Sequence, residues 1–385
     1  MPSPSATEPV LILGGGLIGL AIAHQLARRG RAVTVLSRRR SEAAGFVAAG
    51  MLAPHAEGLS GPMLALGQAS LALIPEWVAQ IEADSGLPCG LRPCGIVVPF
   101  ATAAEREAWP TARFGVPLGR AELEQEAPGL GPTFQAGLLF PQDGQIDNRR
   151  QLMRALERAC VERGVDFEEG SEILELHTEA HPGPPQRSER LSGLTLVGAD
   201  GRRRTLEGRR AVLACGAWSA RLLPQLPVRP VKGQMLSLQG PRQALGRVIF
   251  GPGTYLVPRE DGLLVVGATS EAEAGFSPGL TPQGQRQLEE GLTALLPAAA
   301  AWPPMERWWG FRPGTPDQSP LLGPGPIEGL WLATGHYRNG VLLAAITAAA
   351  IAAQLSPLPA DAGSSLGSLL GPFGWRRFAV AMASE

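Results

Sequence analysis

Residues 10–37, VLILGGGLIGLAIAHQLARRGRAVTVLS, place a glycine-rich turn between a short apolar run and a segment with helical periodicity. The run at 10–13 predicts a strand, and the apolar spacing at 20–29 predicts a helix. Residues 33–36 predict a second strand. A strand, a glycine-rich turn, a helix and a strand within about thirty residues are typical of the first unit of a parallel, doubly wound sheet.

The turn contains the GxGxxG pattern through Gly14, Gly16 and Gly19. Gly14 permits the tight turn, Gly16 lets backbone amides approach a pyrophosphate, and Gly19 allows the helix to pack closely on the strand. The helix N-terminus then faces the phosphate charge. Because the pattern lies between a predicted strand and a predicted helix, it predicts dinucleotide binding. Glycines that serve only packing are the alternative.

Ser37 stands near the end of the second strand, where an acidic residue usually binds the ribose hydroxyls. Arg38, Arg39 and Arg40 follow it. A serine beside arginine can bind ribose more weakly than a carboxylate, or it can accommodate a 2′-phosphate. On this segment alone NADP remains an alternative cofactor, and so does a solvated arginine run with a single hydroxyl contact from Ser37.

The remaining sequence predicts further strands and helices, with a mixed pattern in one part and an antiparallel-sheet pattern in another. Residues 149–163 predict an amphipathic helix, 165–167 a strand and 211–214 a buried strand, with a surface loop at 179–192 between hairpin strands. Alternating patterns at 228–270 predict antiparallel sheet.

The end of the chain repeats the order strand, glycine turn and helix, at 330–333, 335–340 and 341–355. We therefore expect a nucleotide-binding domain built from separate segments, with a substrate domain inserted between them. The predicted boundaries are 1–88, 145–225 and 305–385 for the first domain, and 89–144 and 226–304 for the second.

Length and composition favour a folded protein of about two domains. The 385 residues include 44% hydrophobic and 18% charged residues, and the formal net charge is −1. This balance argues against a disordered chain and against nucleic acid as a partner.

Four cysteines, Cys89, Cys94, Cys160 and Cys215, are too few for a disulfide scaffold and lack zinc-site spacing. No metal is therefore expected, and the cysteines are expected to be free thiols in a reducing cytosol. Residues 1–9 carry no positive charge and no apolar segment of the secretory type. The apolar stretch 341–355 is shorter than the roughly 20 residues that a membrane span needs. These features predict a soluble, cytoplasmic protein.

Motifs distributed along the chain are more specific than the glycine turn. They are AAGMLAPH at 48–55, RPVKGQ at 229–234, YLVP at 255–258, VGAT at 266–269, GFRPGTPD at 310–317 and GHYRNG at 335–340. Together with the turn they resemble the FAD-dependent D-amino-acid oxidase family, and within it the glycine-oxidising branch. The resemblance covers nearly the whole chain. It implies an α/β fold, with a Rossmann-like FAD-binding domain of the glutathione-reductase type and an inserted substrate domain of mixed or antiparallel sheet.

The resemblance also implies noncovalent FAD, because no cysteine stands close to the motif at 310–317. Many family contacts to the flavin come from the backbone, and a helix beginning near residue 340 would point its N-terminal amides at the flavin. The implied cofactor-binding residues are Gly14, Gly16, Leu17, Ile18, Gly19, Ser37, Arg38, Ala48, Ala49, Gly50, Met51, Leu52, Ile173, Cys215, Gly216, Trp218, His336, Tyr337, Arg338, Asn339, Gly340, Val341 and Leu342.

The implied catalytic residues are Arg312, Tyr255 and Arg338. A planar guanidinium at Arg312 can clamp an amino-acid carboxylate through two parallel hydrogen bonds. Tyr255 would donate its hydroxyl to the same carboxylate, and Arg338 would orient the amine. Gly253 stands where some glycine-oxidising members have histidine, so this position leaves the substrate preference open.

The implied reaction is oxidative deamination of glycine, with sarcosine and small D-amino acids as further substrates. Hydride transfer from the α-carbon to flavin N5 would give an imine, which yields glyoxylate and ammonia, while dioxygen becomes hydrogen peroxide. The imine would supply thiazole synthesis for thiamine. The alternatives are a D-amino-acid, sarcosine or proline dehydrogenase with another electron acceptor, and a flavin-binding module without turnover. A homo-oligomer remains open.

Overall fold

The computed structural model describes residues 8–182, 189–361 and 366–378. The strands are β1 (Val10–Leu13), β2 (Val33–Ser37), β3 (Met51–Leu52), β4 (Leu91–Arg92), β5 (Ile96–Phe100), β6 (Val116–Gly119), β7 (Ala136–Phe140), β8 (Gly144–Ile146), β9 (Asp166–Glu169), β10 (Glu172–Ala180), β11 (Glu189–Val197), β12 (Arg203–Glu207), β13 (Ala211–Leu213), β14 (Arg229–Gln239), β15 (Val248–Phe250), β16 (Tyr255–Pro258), β17 (Leu263–Gly267), β18 (Pro304–Gly314), β19 (Leu321–Pro324) and β20 (Leu330–Thr334). The helices are α1 (Leu17–Arg28), α2 (Gly61–Ser85), α3 (Ala103–Glu107), α4 (Arg120–Glu126), α5 (Met153–Glu162), α6 (Ser219–Leu222), α7 (Pro282–Leu295), α8 (Gly340–Leu355) and α9 (Leu366–Leu370).

A six-stranded sheet in the order β19-β20-β13-β1-β2-β9 contains the strand and glycine turn that are predicted to bind a dinucleotide. Its strands are parallel except for β19, which runs antiparallel to β20. Alternation along β1 divides the core in two, because successive side chains of a strand point to opposite faces. Val10 and Ile12 pack with α1 and α8, whereas Leu11 and Leu13 pack with residues of the β10-β11-β12 sheet.

Helices therefore cover one face of this sheet, and the three-stranded antiparallel sheet covers the other. Helix α8 contacts α1 and α2. Its apolar residues are buried on nearly all sides, which explains why residues 341–355 lack a polar face. Within the described residues, no helix combines the length and the apolar character required to cross a bilayer.

A second, larger sheet has eight strands in the order β18-β14-β17-β16-β15-β5-β7-β6. All neighbouring strands are antiparallel except β15 and β5. One face packs under α7, where Leu236 and Leu256 contact the cluster containing Leu288. The opposite face, with Met235 and Val257, packs against the loop that follows β2. The α/β fold with a mixed second sheet is thus confirmed.

The helix predicted at 149–163 and the loop predicted at 179–192 differ in detail from the structure. Residues 149–163 form a π-helical turn, Asn148–Leu152, followed by helix α5, and the strand predicted at 165–167 is β9, paired with β2. The loop predicted at 179–192 is shorter, because β10 continues to Ala180 and β11 begins at Glu189. Residues 183–188 lie outside the described residues.

The division into two domains remains a proposal. Strand β18 pairs along its length with β14, so its hydrogen bonds join residues 304–314 to the larger sheet. We propose that the last segment of the nucleotide-binding domain begins after Gly314 rather than at residue 305.

Candidate active site

The glycine turn joins β1 to α1 with no room for side chains at two positions. Gly14 has a φ of 114°, and a Cβ there would lie 2.5 Å from the Ala214 carbonyl oxygen. A Cβ on Gly19 would lie 1.9 Å from the Gly14 carbonyl oxygen. Helix α1 has no side-chain cap and no acidic residue in its first turn. Its first N–H groups are therefore suited to bind the phosphates of a dinucleotide.

One large cavity begins at this turn and extends to β18. The predicted residues that line it are Gly14, Gly16, Leu17, Ile18, Ser37, Arg38, Ala48, Ala49, Gly50, Met51, Ile173, Cys215, Gly216, Trp218, Tyr255, Arg312, His336, Tyr337, Arg338, Gly340 and Val341. The structure thus brings together residues that lie more than 300 positions apart in the sequence, which an elongated cofactor requires.

Four of the predicted cofactor residues do not line the cavity. Gly19 packs against Gly14, and Leu52 and Leu342 are buried in the core around α8. Asn339 is 7% exposed and precedes the first residue of α8. Direct contact of these four with a cofactor stays a prediction.

At the end of the cavity beside β2, called the nucleotide end below, the arginines after Ser37 have acidic partners. Arg38 lies 2.9 Å from Glu42 and 3.4 Å from Glu172, and both carboxylates line the cavity. Arg39 also contacts Glu42, at 2.6 Å. These ion pairs disfavour a 2′-phosphate, which would have to compete with the carboxylates. Sequence reasoning missed both acids, since Glu42 is the last residue of a 3₁₀ turn and Glu172 comes from β10.

At the opposite end, the motif at 335–340 meets the motif at 310–317. The Tyr337 N–H donates to the Pro313 carbonyl at 3.0 Å. Gly340 and Val341, the first residues of α8, line the cavity, and no side chain caps this helix. Burial lowers the pKa of His336 to about 3. The imidazole is therefore neutral near pH 7, and the helix N-terminus adds positive potential here.

Cys215 and Trp218 form the wall at the end of β13. The Cys215 thiol donates to the Leu13 carbonyl at 3.1 Å, and burial raises its pKa to about 12. The thiol is therefore protonated and is a poor nucleophile. The Trp218 ring stacks on Phe276, with the ring centroids 5.3 Å apart.

Arg312 projects from β18 into the cavity over a glycine of the neighbouring strand. A Cβ on Gly233 would lie 2.2 Å from Arg312 Nη1. The same nitrogen donates to the Thr269 carbonyl at 3.0 Å. One hydrogen bond thus orients the guanidinium, and its remaining N–H groups are available to a ligand carboxylate.

Tyr255, on β16, depends on a glycine in the same way. It stands opposite Gly267 of β17, where a Cβ would lie 2.5 Å from the phenolic oxygen. Burial raises the pKa of Tyr255, although the charge of Arg312 opposes this. The phenol is protonated at neutral pH and can donate a hydrogen bond to the ligand that Arg312 binds.

Glu57 is a cavity residue that the motif at 48–55 did not include. Its side chain is 9% exposed, and its Oε2 lies 3.8 Å from Nε of the more exposed Arg338. Burial raises the pKa of Glu57, while the positive charges of Arg338 and Arg312 oppose this. The only signal in the sequence was its position two residues after the motif.

The loop that carries Glu57 is fixed by His55 and Asp143. His55 Nδ1 lies 2.6 Å from Asp143 Oδ1, and Asp143 Oδ2 accepts the backbone N–H groups of His55 and Ala56. His55 does not line the cavity. Within the described ranges, no group of three or more histidine, cysteine, aspartate or glutamate side chains is suited to a metal ion.

A family model for FAD-dependent oxidoreductases matches residues 9–354, which is nearly the whole chain. The chain belongs to this family. As an FAD-dependent oxidoreductase, it is an enzyme whose cofactor is FAD, and the NADP alternative is not favoured.

Several proteins with established names match this FAD-dependent oxidoreductase over most of its sequence. A bifunctional protein ThiO/ThiG of Synechocystis is 44% identical over 358 residues, which cover 90% of this chain and 51% of that protein. The chain thus spans about half the length of that relative. A glycine oxidase of Pseudomonas aeruginosa is 33% identical over 88% of this chain and 92% of its own length. The crystal structure of glycine oxidase from Geobacillus kaustophilus has a TM-score of 0.82, with 29% identity over 97% of this chain and 99% of that one.

The residues present fit FAD. The N-terminus of α1 has no side-chain cap, and together with the glycine turn it suits the pyrophosphate of FAD. Ser37 and Ile173 lie at the nucleotide end of the cavity. The N-terminus of α8, which also has no side-chain cap, lies at the other end. The role of each residue toward FAD is a proposal.

Proposed function

We propose that this oxidoreductase oxidises glycine, and that sarcosine and small D-amino acids are further substrates. The observation that carries the proposal is the convergence of Arg312 and Tyr255 in one cavity with the uncapped N-terminus of α8. A cation and a phenol together are suited to bind a carboxylate. The sequence similarity to glycine oxidases supports the same substrate.

Arg312 and Tyr255 position the substrate. Two N–H groups of Arg312 bind the two carboxylate oxygens, and Tyr255 donates a third hydrogen bond. Because Thr269 already holds one guanidinium nitrogen, little side-chain entropy is lost when the ligand binds. Fixing the carboxylate orients the α-carbon and makes the encounter with the cofactor effectively intramolecular.

The glycine turn and the N-termini of α1 and α8 would hold FAD, which would supply the acceptor for the hydride of the α-carbon, with dioxygen as the final oxidant and hydrogen peroxide as its product. The N-terminus of α8 stabilises the negative charge that develops at that end of the cavity. Neutral His336 adds no charge of its own. The protein therefore fixes the position of the substrate carboxylate and supplies a fixed positive potential.

The imine product gives glyoxylate and ammonia in water. The relatives named ThiO/ThiG support the proposal that the imine also supplies thiazole synthesis for thiamine. The four cysteines are unpaired, which supports work in the cytoplasm. Whether the chain forms a homo-oligomer stays an open prediction.

Turnover of glycine in air tests the proposal. The purified FAD-loaded protein is mixed with glycine, and oxygen uptake, peroxide, glyoxylate and ammonia are measured together. We expect equal amounts of the four. Glycine oxidation with an artificial acceptor but without oxygen uptake would favour the dehydrogenase alternative, and no product with any small amino acid would favour a module without turnover.

A further inference from the structure

Three carboxylates from the described residues line the cavity, and they are divided between its ends. Glu42 and Glu172 pair with Arg38 at the nucleotide end. Glu57 lies beside Arg338, with its Oε2 3.8 Å from Arg338 Nε, and lines the cavity together with Tyr255 and Arg312. The substrate end thus holds two guanidinium groups and one carboxylate.

The Glu57 carboxylate forms a long ion pair with Arg338. Within residues 8–182, 189–361 and 366–378 no hydrogen bond to it is found, and its nearest cation, Arg338 Nε, lies 3.8 Å away. That distance exceeds the usual length of a charge-assisted hydrogen bond, about 2.7–2.9 Å. The neighbouring buried carboxylate, Asp143, is by contrast fully used by His55 and Ala56. A buried carboxylate that faces a cavity without a close donor is suited to a donor on the ligand.

The backbone holds Glu57 in this place. Its N–H donates to the Ala53 carbonyl, and the N–H of Gly58 donates to the His55 carbonyl. Asp143 ties the two residues before Glu57 to the loop that leads into β8. The side chain therefore projects from a fixed turn rather than from a mobile loop.

A zwitterionic amino acid complements this arrangement of charges. Its carboxylate matches Arg312 and Tyr255, and its ammonium group needs an anion on the other side of the α-carbon. We propose that Glu57 binds the substrate ammonium group and accepts one proton from it before oxidation. This inference rests on the proposed function.

The proton transfer explains how a glycine zwitterion becomes reactive. One N–H bond of the ammonium group breaks, an O–H bond forms on Glu57, and the nitrogen keeps the electron pair. The amine then has the lone pair that the C–N double bond of the imine requires when hydride leaves the α-carbon. Burial raises the pKa of Glu57 and makes it a better proton acceptor, while Arg338 and Arg312 oppose this and the charge of Asp143 adds to it.

The test compares the variant Glu57→Gln with the wild-type protein at several pH values. Anaerobic rapid mixing with glycine gives the rate of flavin reduction, and a titration of flavin absorbance with glycolate, which has a carboxylate but no amine, gives a binding constant. We expect reduction by glycine to fall about 100-fold or more at pH 7 in the variant. The rate should recover about tenfold per pH unit as the free amine becomes available, and glycolate binding should change less than about threefold.

Two further variants keep the test decisive. Glu57→Asp retains a carboxylate and should keep the pH profile of the wild type. Glu107→Gln removes an exposed carboxylate outside the cavity and should change neither measurement. If Glu57→Gln loses its FAD or fails to fold, Glu57→Ser replaces it in both measurements, with the same expected results.

A loss in Glu57→Gln that is equal at every pH, or equal for glycine and glycolate, would show that Glu57 only supports the fold or Arg338. A wild-type flavin that glycine does not reduce would overturn the proposed function as well. Reduction of the wild type together with a pH-independent loss in the variant would overturn the role of Glu57 alone.

Discussion

Gly233 lies directly against the guanidinium group of Arg312, so close that a Cβ at residue 233 would be 2.2 Å from Nη1. The two residues belong to the paired strands β14 and β18. The missing side chain creates the space into which the arginine extends. The glycine of the RPVKGQ motif is thus explained by the residue proposed to bind the substrate carboxylate.

Gly233→Ala should displace Arg312 and weaken glycine binding while FAD stays bound. We expect KM for glycine to rise at least about tenfold, and the free energy of unfolding to fall by about 1–3 kcal/mol because of overpacking. Steady-state kinetics and urea unfolding measure both effects. Gly246→Ala is the matched control, because a Cβ at Gly246 meets no other atom within 4 Å. An unchanged KM in Gly233→Ala would refute the assignment.

Arg312→Ala should abolish tight binding of the carboxylate. Each hydrogen bond between charged groups contributes about 1.5–3 kcal/mol, so the affinity for glycolate should fall about 100-fold or more. Flavin absorbance during a glycolate titration measures the change. Arg307→Ala serves as the control, since Arg307 lies on the same strand but pairs with Glu289 outside the cavity. Equal effects of the two substitutions would contradict the role of Arg312.

Gly19→Ala should weaken the binding of FAD more than any property of the substrate site. The added Cβ would lie 1.9 Å from the Gly14 carbonyl oxygen, so α1 must move away from the turn. We expect the FAD dissociation constant to rise at least about tenfold, as a loss of about 1.4 kcal/mol or more would produce. Equilibrium dialysis gives this constant. Gly367→Ala, in helix α9 with open space around it, should leave FAD binding unchanged.

Acid should destabilise the protein through His336. Burial lowers its pKa from 6.5 to about 3, so the unfolded chain binds this proton first as the pH falls. The stability that the neutral histidine contributes is full above pH 6.5 and is lost progressively down to pH 3, by about 1.4 kcal/mol per pH unit. Urea unfolding with excess FAD at pH 7.5 and 5.5 measures this slope. His336→Asn should show a smaller slope, and an identical slope would refute the burial argument.

The sequence predicted the elements whose signals are local. The strand and glycine turn at residues 10–19 need only neighbouring residues, and Gly19 approaches the Gly14 carbonyl too closely for any side chain at residue 19. Helix α8 was also predicted, because its apolar run is continuous and the turn before it contains glycines.

The missed features depend on contacts between distant segments. The partners of Arg38 come from Glu42 and from Glu172 of β10, and no periodicity in the sequence indicates that these acids meet the arginine. Glu57 reaches the cavity because Asp143, 86 positions away, fixes the preceding residues. The π-helical turn at Asn148–Leu152 has the same apolar residues as a regular helix would have. Resemblance to a family located the cavity, but only the structure showed which charges oppose each other inside it.

We propose that Arg312 and Tyr255 hold glycine for oxidation by the bound FAD. The first measurement is an absorption spectrum of the FAD-loaded protein, recorded without oxygen before and after glycine is added. Glycine should bleach the flavin, and air should restore its colour with formation of hydrogen peroxide. A flavin that stays oxidised in saturating glycine would show that glycine is not a substrate.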